Sequence, residues 1–340
     1  MSTRAKEIIA IASITVFALI FYIRKVTGGL PFEFPMAVTY GVIGLLALSL
    51  LWILILTIQG KLIERRVVFV YVAFAVGLPL FMPISQKMTI SPEVQQLYDA
   101  VLEQKPGSRV LISFDYDPPS APELQPMAES FIRLCFERDL QVIIMGLWPQ
   151  GPQQANLALQ KVLEEEAIAA KNLQYGVDYV NLGFQSGNEF VIQGMGDSFK
   201  KKFPTDYQGR PYDDIPMLSN VKNFYNIDYC FNLSSGFPGS VEWVQVAVDR
   251  YGQDMGAGNT AVQAPTMYAY LNANQLNGLL GGMNGAAEFE ILCDYEGKGR
   301  KYMVSQSFSH VVVIAFVLIG NVAFFMSGRK SALNGEKEQA

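Results

Sequence analysis

The sequence predicts an α/β fold class: four transmembrane helices plus a doubly wound, Rossmann-like, mostly parallel sheet domain inserted between the third and fourth spans. Of its 340 residues, 50% are hydrophobic and only 17% are charged, whereas soluble domains carry roughly a quarter charged residues. Between residues 85 and 303, short apolar runs alternate with helical patterns of ten or more residues. This alternation favours a parallel sheet that is covered by helices on both faces.

The membrane prediction rests on apolar runs near the roughly 20 residues that a bilayer-crossing helix needs. Four such runs lie at about residues 8–23, 36–58, 67–83 and 304–328. None contains Asp, Glu, Lys or Arg, which argues against a self-contained pump or transporter. The predicted organisation is therefore a membrane region at 1–84, a globular domain at 85–303, the fourth span at 304–328 and a polar tail at 329–340.

Four spans place both termini on one side of the membrane and the globular domain on the other. Eight Lys and Arg residues lie near the spans on the side of the termini, and six lie on the side of the domain. By the positive-inside rule, we expect a multi-pass cell-membrane protein with cytoplasmic termini and an extracytoplasmic domain. The first run could alternatively be a signal peptide, but no cleavage site of small residues follows it.

The strands of the domain are predicted from apolar runs bounded by turn residues. In chain order they lie at residues 109–116, 141–148, 178–184, 228–235, 253–258 and 276–282. The first, second and fourth are continuous apolar runs, which is typical of strands that are buried on both faces.

The helices of the domain are predicted from apolar residues at helical spacing and from capping signals. In chain order they lie at residues 92–104, 120–138, 152–175, 239–252, 264–275 and 286–296. Ser91, Ser120 and Ser240 are predicted N-caps, with Glu123 completing a capping box. Residues 199–227, which are rich in Pro, Asp and Lys, interrupt the alternation and are predicted to form a long functional or contact loop.

Composition excludes several classes of function. The one histidine, His310, lies outside the domain, so a Ser-His-Asp or Cys-His mechanism and HExxH-type metal sites are excluded within this chain. The chain has three cysteines, Cys135, Cys230 and Cys293. Because their number is odd and no two of them have CxxC spacing, the sequence predicts buried thiols rather than a disulfide framework or a zinc site. The domain is acidic, with 16 basic and 26 acidic residues, so no nucleic-acid partner is expected. No metal and no cofactor is predicted.

Two acidic residues follow the first predicted strand, at the end where parallel sheets bind ligands. Asp115 and Asp117 form an apolar-strand DxD pattern that resembles the first motif of haloacid-dehalogenase-like phosphotransferases. The resemblance implies Asp115 as nucleophile and Asp117 as general acid, with magnesium. In this chain Pro118 and Pro119 replace the continuation usual in that family. The alternative is that both carboxylates shape the turn or cap the next helix.

A second candidate follows the fourth predicted strand, in the sequence SSGFPGS. Its residues form a turn before a helix, where backbone N–H groups can hold a small anion: Ser234, Ser235, Gly236, Gly239 and Ser240. The turn lacks the lysine of a Walker A loop, so nucleotide hydrolysis is not predicted. The alternative is a glycine-rich turn in which Ser240 only caps its helix. A GxGxxA match at residues 256–261 lies too far before its helix to predict a dinucleotide site.

The leading functional hypothesis is a non-enzymatic structural or scaffolding subunit of a membrane complex. Its partners would be the bilayer and other membrane subunits, in a homo- or hetero-oligomer. The alternatives are a small anionic ligand-binding or sensory membrane protein and a DxD carboxylate-dependent hydrolase or phosphotransferase. A block dense in small residues, 278–290, favours close packing either against another subunit or within the domain.

Overall fold

The computed structural model describes residues 36–59, 64–81 and 88–338. The chain divides into two compact units, one of residues 1–84 and 312–340 and the other of residues 85–311. The first predicted span, at 8–23, lies outside the described residues.

Two helices among the described residues are long and apolar enough to cross a membrane. They are α1, Met36–Ile58, and the segment Lys298–Met326 of the C-terminal helix. The third predicted span corresponds to a shorter apolar helix, α2, Arg65–Gly77, followed by a 3₁₀ turn, Leu78–Phe81. Length and composition therefore support two of the four predicted spans.

The other unit contains a six-stranded parallel sheet. Its strands are β1 Arg109–Asp115, β2 Gln141–Gly146, β3 Tyr179–Phe184, β4 Tyr229–Ser234, β5 Met255–Asn259 and β6 Leu279–Gly281. The strand order is β3-β2-β1-β4-β5-β6, and every neighbouring pair is parallel. This is the order of the classic doubly wound sheet, so the mixed α/β class and the predicted parallel sheet are confirmed.

The remaining α-helices of the described residues follow in chain order, and a π-helical turn, Val244–Val248, directly follows the helix Ser240–Trp243. The α-helices are α3 Pro92–Leu102, α4 Ala121–Glu137, α5 Gly151–Leu163, α6 Glu166–Ala169, α7 Glu189–Asp197, α8 Phe199–Lys202, α9 Ser240–Trp243, α10 Ala264–Asn272, α11 Gly282–Leu292 and α12 Lys298–Glu338. One apolar core joins the sheet to α3, α4, α5 and α11, and a second joins its other face to α7, α9 and α10. Phe131 of α4 stacks on Phe231 of β4 with ring centroids 3.8 Å apart, in the centre of the first core.

The predicted helix at 152–175 is wrong in its length. The structure has α5, then a break at Glu165, then the single turn α6. The Glu165 carboxylate accepts hydrogen bonds from Arg133 Nε at 2.8 Å and from the Tyr295 hydroxyl at 2.9 Å. These contacts hold Glu165 in an extended conformation, and tertiary structure thereby overrides local helix propensity.

The predicted N-cap positions are confirmed for Ser91 and Ser120 but not for Ser240, and the side-chain caps expected there are absent. Ser91 and Ser120 stand at N-cap positions without side-chain capping hydrogen bonds. Glu123 accepts a hydrogen bond from the distant Ala261 amide at 2.7 Å instead of closing a capping box. Ser240 is the first residue of α9 rather than its cap, and its side chain points into a buried network described below.

Residues 199–227 differ from the predicted loop because they form part of the core. They contain α8 and three 3₁₀ turns, Tyr212–Asp214, Pro216–Leu218 and Phe224–Asn226. Their buried apolar side chains, which lie against the second face of the sheet, include Phe199, Phe203, Tyr212, Leu218 and Phe224. The apolar residues follow no helical or strand period, so the sequence pattern does not reveal this role.

The small-residue block at 278–290 packs within the domain. A side chain at Gly278 would lie 2.4 Å from the backbone nitrogen of Leu97 in α3, and one at Gly285 would lie 2.9 Å from the backbone of Leu280. Gly282 has φ +58°, which favours glycine, at the junction of β6 and α11. These glycines are explained by close backbone approach inside one domain.

Candidate functional site at the carboxyl edge of the sheet

The two sequence-predicted clusters meet at one point of the fold. β1 and β4 are neighbours at the centre of the sheet, where the strand order reverses, and Asp115 pairs with Ser234 in their register. Ligands of open α/β sheets bind outside the carboxyl ends of the strands at such a switch point. This position is therefore the candidate functional site.

Asp115 lies fully buried beneath this site. Its carboxylate accepts hydrogen bonds from the Leu147 amide at 2.7 Å, Asn232 Nδ2 at 2.6 Å, Trp243 Nε1 at 2.9 Å and the Ser113 hydroxyl at 2.9 Å. Burial raises the pKa of Asp115 to about 7, while these four donors act in the opposite direction. A carboxylate so enclosed is suited to organising the ends of β1, β2 and β4 and poorly suited to attacking a substrate.

The network extends from Asp115 across the sheet to β5. Ser240 donates a hydrogen bond to Asn232 Oδ1 at 2.6 Å and accepts one from Asn259 Nδ2 at 2.9 Å. Asn259 Nδ2 also donates to Gln263 Oε1 at 3.0 Å. Each of these side chains is thereby held in one orientation. Sequence reasoning missed Asn232 and Asn259. The available signal for Asn232 was a single amide residue within the apolar run of β4, whereas Asn259 lies one residue past the predicted fifth strand, 253–258.

Asp117 lies two residues further on and outside the network. It precedes the 3₁₀ turn Pro118–Ser120, and its Oδ1 accepts a hydrogen bond from the Ser120 hydroxyl at 3.1 Å. Asp117 thus shapes the turn, as one sequence alternative predicts.

Within the described part of the chain, no three side chains of His, Cys, Asp or Glu come together as ligands for a metal ion. The roles that the dehalogenase-like resemblance implies for Asp115 and Asp117 remain predictions.

The SSGFPGS turn uses several of its own amides. The Gly236 amide donates to Ser234 Oγ at 3.2 Å, the Gly239 amide donates to Glu242 Oε2 at 2.7 Å, and the Ser235 amide donates to the Asp115 carbonyl at 3.2 Å. A Cβ at Gly239 would lie 1.9 Å from Ser234 Oγ, so only glycine fits this tight turn. An anion bound here would compete with the Glu242 carboxylate for the Gly239 amide.

Two buried oxygen atoms of the site have no hydrogen-bond partner within the described chain. They are the hydroxyl oxygen of Ser235 and Oδ1 of Asn259. An amide oxygen only accepts hydrogen bonds, and a hydroxyl both donates and accepts. This pair therefore matches a ligand that donates hydrogen bonds better than it matches an anion.

Three exposed apolar side chains, which we call the apolar rim, stand beyond the carboxyl ends of the strands among exposed polar residues such as Gln150 and Ser186. Phe190, Phe237 and Val262 follow β3, β4 and β5, and their exposed fractions are 64%, 66% and 91%. The loops after β4 and β5 are joined by a hydrogen bond of 3.4 Å from Gln263 Nε2 to the Gly236 carbonyl. Trp148 ties the loop after β2 to the same turn, through a hydrogen bond of 2.7 Å from its Nε1 to the Pro238 carbonyl.

Comparison of the chain with known protein families, with curated proteins and with solved structures gives no match. A fold of this class hosts many unrelated functions, so the functional argument rests on the geometry of the site.

Proposed function

We propose that the protein is a non-enzymatic structural subunit of a membrane complex, and that the apolar rim of the carboxyl edge contacts another subunit. The observation that carries the proposal is the exposure of Phe190, in the first turn of α7, and of Phe237 and Val262, in the loops after β4 and β5. Large exposed apolar side chains that share one surface are typical of protein–protein contacts. Hydrogen bonds fix the positions of the loops that carry Phe237 and Val262, which lowers the entropy lost on association.

The chemistry of the switch point supports a non-enzymatic role. An acid, base or nucleophile must come within hydrogen-bond distance of its substrate. Asp115 is enclosed by donors of its own chain, and Ser240 is bonded to two asparagines. These polar groups stabilise the domain rather than present themselves to solvent.

The proposal includes a membrane anchor of four spans, at about residues 8–23, 36–58, 67–83 and 304–328. The length and apolar composition of α1 and of Lys298–Met326 support membrane association. The excess of Lys and Arg on the side of the termini supports cytoplasmic termini and an extracytoplasmic domain.

The test is the mass of the particle after gentle detergent extraction, measured by light scattering on a chain tagged after Ala340. We expect a defined assembly of repeated copies or fixed partners. The double variant Phe237→Ser, Val262→Ser should shift the mass towards that of the monomer. Tyr225→Ser is the matched control, because Tyr225 is 86% exposed but precedes β4 at the opposite edge of the sheet. A wild-type protein that is monomeric in mild detergent contradicts the proposal.

A second candidate function is ligand binding or sensing at the switch point. The unpaired buried oxygens of Ser235 and Asn259 favour it. The test is a thermal-shift screen of the full chain with small amines, amides and polyols, and with inorganic phosphate as the anionic probe. A shift that Ser235→Ala abolishes supports this function, and stabilisation by phosphate alone supports the anionic version of it. A screen without any shift contradicts both versions.

A further inference from the structure

A cleft of about 420 Å³ lies beside the edge strand β3, away from the switch point. Its volume falls in the range of small-molecule sites. One wall is the outer surface of α5, and the other is formed by tyrosines and by the turn at residues 206–210. The cleft therefore combines a regular helix face with an aromatic wall.

The helical wall presents a row of polar side chains. Asn156, Gln160 and Glu164 are four residues apart, so they share one face of the helix at intervals of about 6 Å. Leu159 and Leu163 line the cleft beside them. A hydrogen bond of 2.9 Å from Asn181 Nδ2 to Asn156 Oδ1 fixes the amide of Asn156. This wall offers both donors and acceptors along its length.

The aromatic wall is held in place by a buried carboxylate. Asp206 accepts hydrogen bonds from the Tyr175 hydroxyl at 3.1 Å, the Gln208 amide at 2.9 Å and the Arg210 amide at 2.8 Å. The Tyr207 amide donates to the Asn181 carbonyl of β3 at 2.8 Å. The turn is thus fixed at both ends before any ligand arrives, although the Tyr207 side chain is 51% exposed. A preorganised aromatic residue loses little entropy on binding.

We propose that this cleft binds a saccharide, as an extended chain of neutral sugar units. A pyranose ring presents an apolar face of C–H groups to an aromatic ring, and Tyr179 and Tyr207 supply such rings. Tyr175 adds a third ring, one face of which is covered by the Arg210 guanidinium at 4.3 Å. Its hydroxyl groups each donate and accept a hydrogen bond, which matches amide side chains. The spacing of about 6 Å along α5 is close to the length of one sugar unit, so successive units meet successive polar groups.

The polar wall distinguishes a saccharide from other extended ligands. Proline-rich peptides also bind grooves lined by aromatic residues, but their backbone offers mainly carbonyl acceptors. The Glu164 carboxylate already accepts a hydrogen bond of 3.0 Å from Gln160 Nε2 at Oε1. Its remaining lone pairs can accept a hydrogen bond from a sugar hydroxyl but not from proline residues, which have no N–H group. Glu164 also disfavours phosphate-rich ligands by like-charge repulsion.

The test is calorimetric titration of the full chain with cellotetraose and with the tetramer of N-acetylglucosamine. The detergent must lack a sugar headgroup, since a glycosidic detergent would compete for the cleft. We expect one of the tetramers to bind, Tyr207→Ala to weaken binding at least tenfold, and Tyr207→Phe to retain it. Tyr225→Ala is the matched control, because it removes an exposed tyrosine outside the cleft.

Three outcomes would overturn the saccharide assignment. One is the absence of binding of both tetramers at millimolar concentration by a wild-type protein with an intact thermal transition. Another is binding that is unchanged in a folded Tyr207→Ala variant. The third is that a proline decapeptide binds while neither tetramer does, and that binding of the peptide is lost in Tyr207→Ala. This result would assign the cleft to peptide recognition.

Discussion

At the scale of the residue, Asp115 brings together two opposing effects. Burial raises its pKa to about 7, and four hydrogen-bond donors favour its charged form. Because an ionised carboxylate only accepts hydrogen bonds, Asp115 can satisfy the Leu147 amide, Asn232 and Trp243 at once. An amide in its place would present N–H groups to at least one of these donors.

We therefore expect Asp115→Asn to lower the free energy of unfolding by about 3 kcal/mol, because it leaves a buried donor without an acceptor. Urea unfolding of the full chain in detergent, followed by tryptophan fluorescence, measures the change. Asp117→Asn is the control, with an expected change below about 0.5 kcal/mol at a half-exposed turn. Unchanged stability in Asp115→Asn would contradict the structural role and would favour the nucleophile that the DxD resemblance implies.

At the scale of the element, the start of the long helix α12 is bound by a buried carboxylate. Glu290 accepts hydrogen bonds from the Gly299 and Arg300 amides, each at 2.8 Å. Negative charge near unpaired amides at a helix N-terminus is stabilising. A Cβ at Gly297 would lie 2.1 Å from Glu290 Oε1, so glycine at this position leaves room for the carboxylate. Beside it, Lys298 pairs with the buried Glu129 at 3.2 Å.

Burial nevertheless raises the pKa of Glu290 to about 7, and the nearby Glu129 acts in the same direction. Between the ordinary pKa of Glu, about 4.3, and pH 7, Glu290 therefore carries a proton in the folded protein but not in the unfolded chain. We expect the contribution of Glu290 to stability to fall as pH rises from 5 to 8. Unfolding of the wild type and of Glu290→Gln across this range measures it.

The Glu290→Gln variant should show a smaller loss of stability between pH 5 and pH 8 than the wild type. Glu164→Gln, which changes an exposed carboxylate, should keep the wild-type slope. An identical pH dependence in Glu290→Gln and the wild type would contradict titration of Glu290 in this range.

At the scale of the whole molecule, the sheet could be predicted from sequence because its central strands are continuous apolar runs. β1, β2 and β4 each lie within the predicted ranges 109–116, 141–148 and 228–235. The break at Glu165 could not be predicted, because its cause is contact with Arg133 and Tyr295, which are distant in sequence. α7 was not predicted either, since its nine residues contain two glycines.

The candidate sites were predicted only in part. Asp115 and Ser234 were each identified from their positions after strands, but their pairing depends on β1 and β4 being neighbours. The saccharide cleft gave no local signal, because Glu164 and Tyr207 come from separate segments that meet only in the fold. Spatial convergence of distant residues is the information that a single sequence lacks.

The position of β1 at the centre of the sheet has a consequence for protein synthesis. Val110 pairs with Tyr229, which is made roughly 120 residues later. At a translation rate of about 5–20 residues per second, β4 follows β1 by roughly 6–24 s. During this delay one edge of an apolar strand carries unpaired backbone groups, which are a template for aggregation. The nascent chain is therefore most vulnerable in the middle of translation, when the first half of the sheet has left the ribosome and the second half has not.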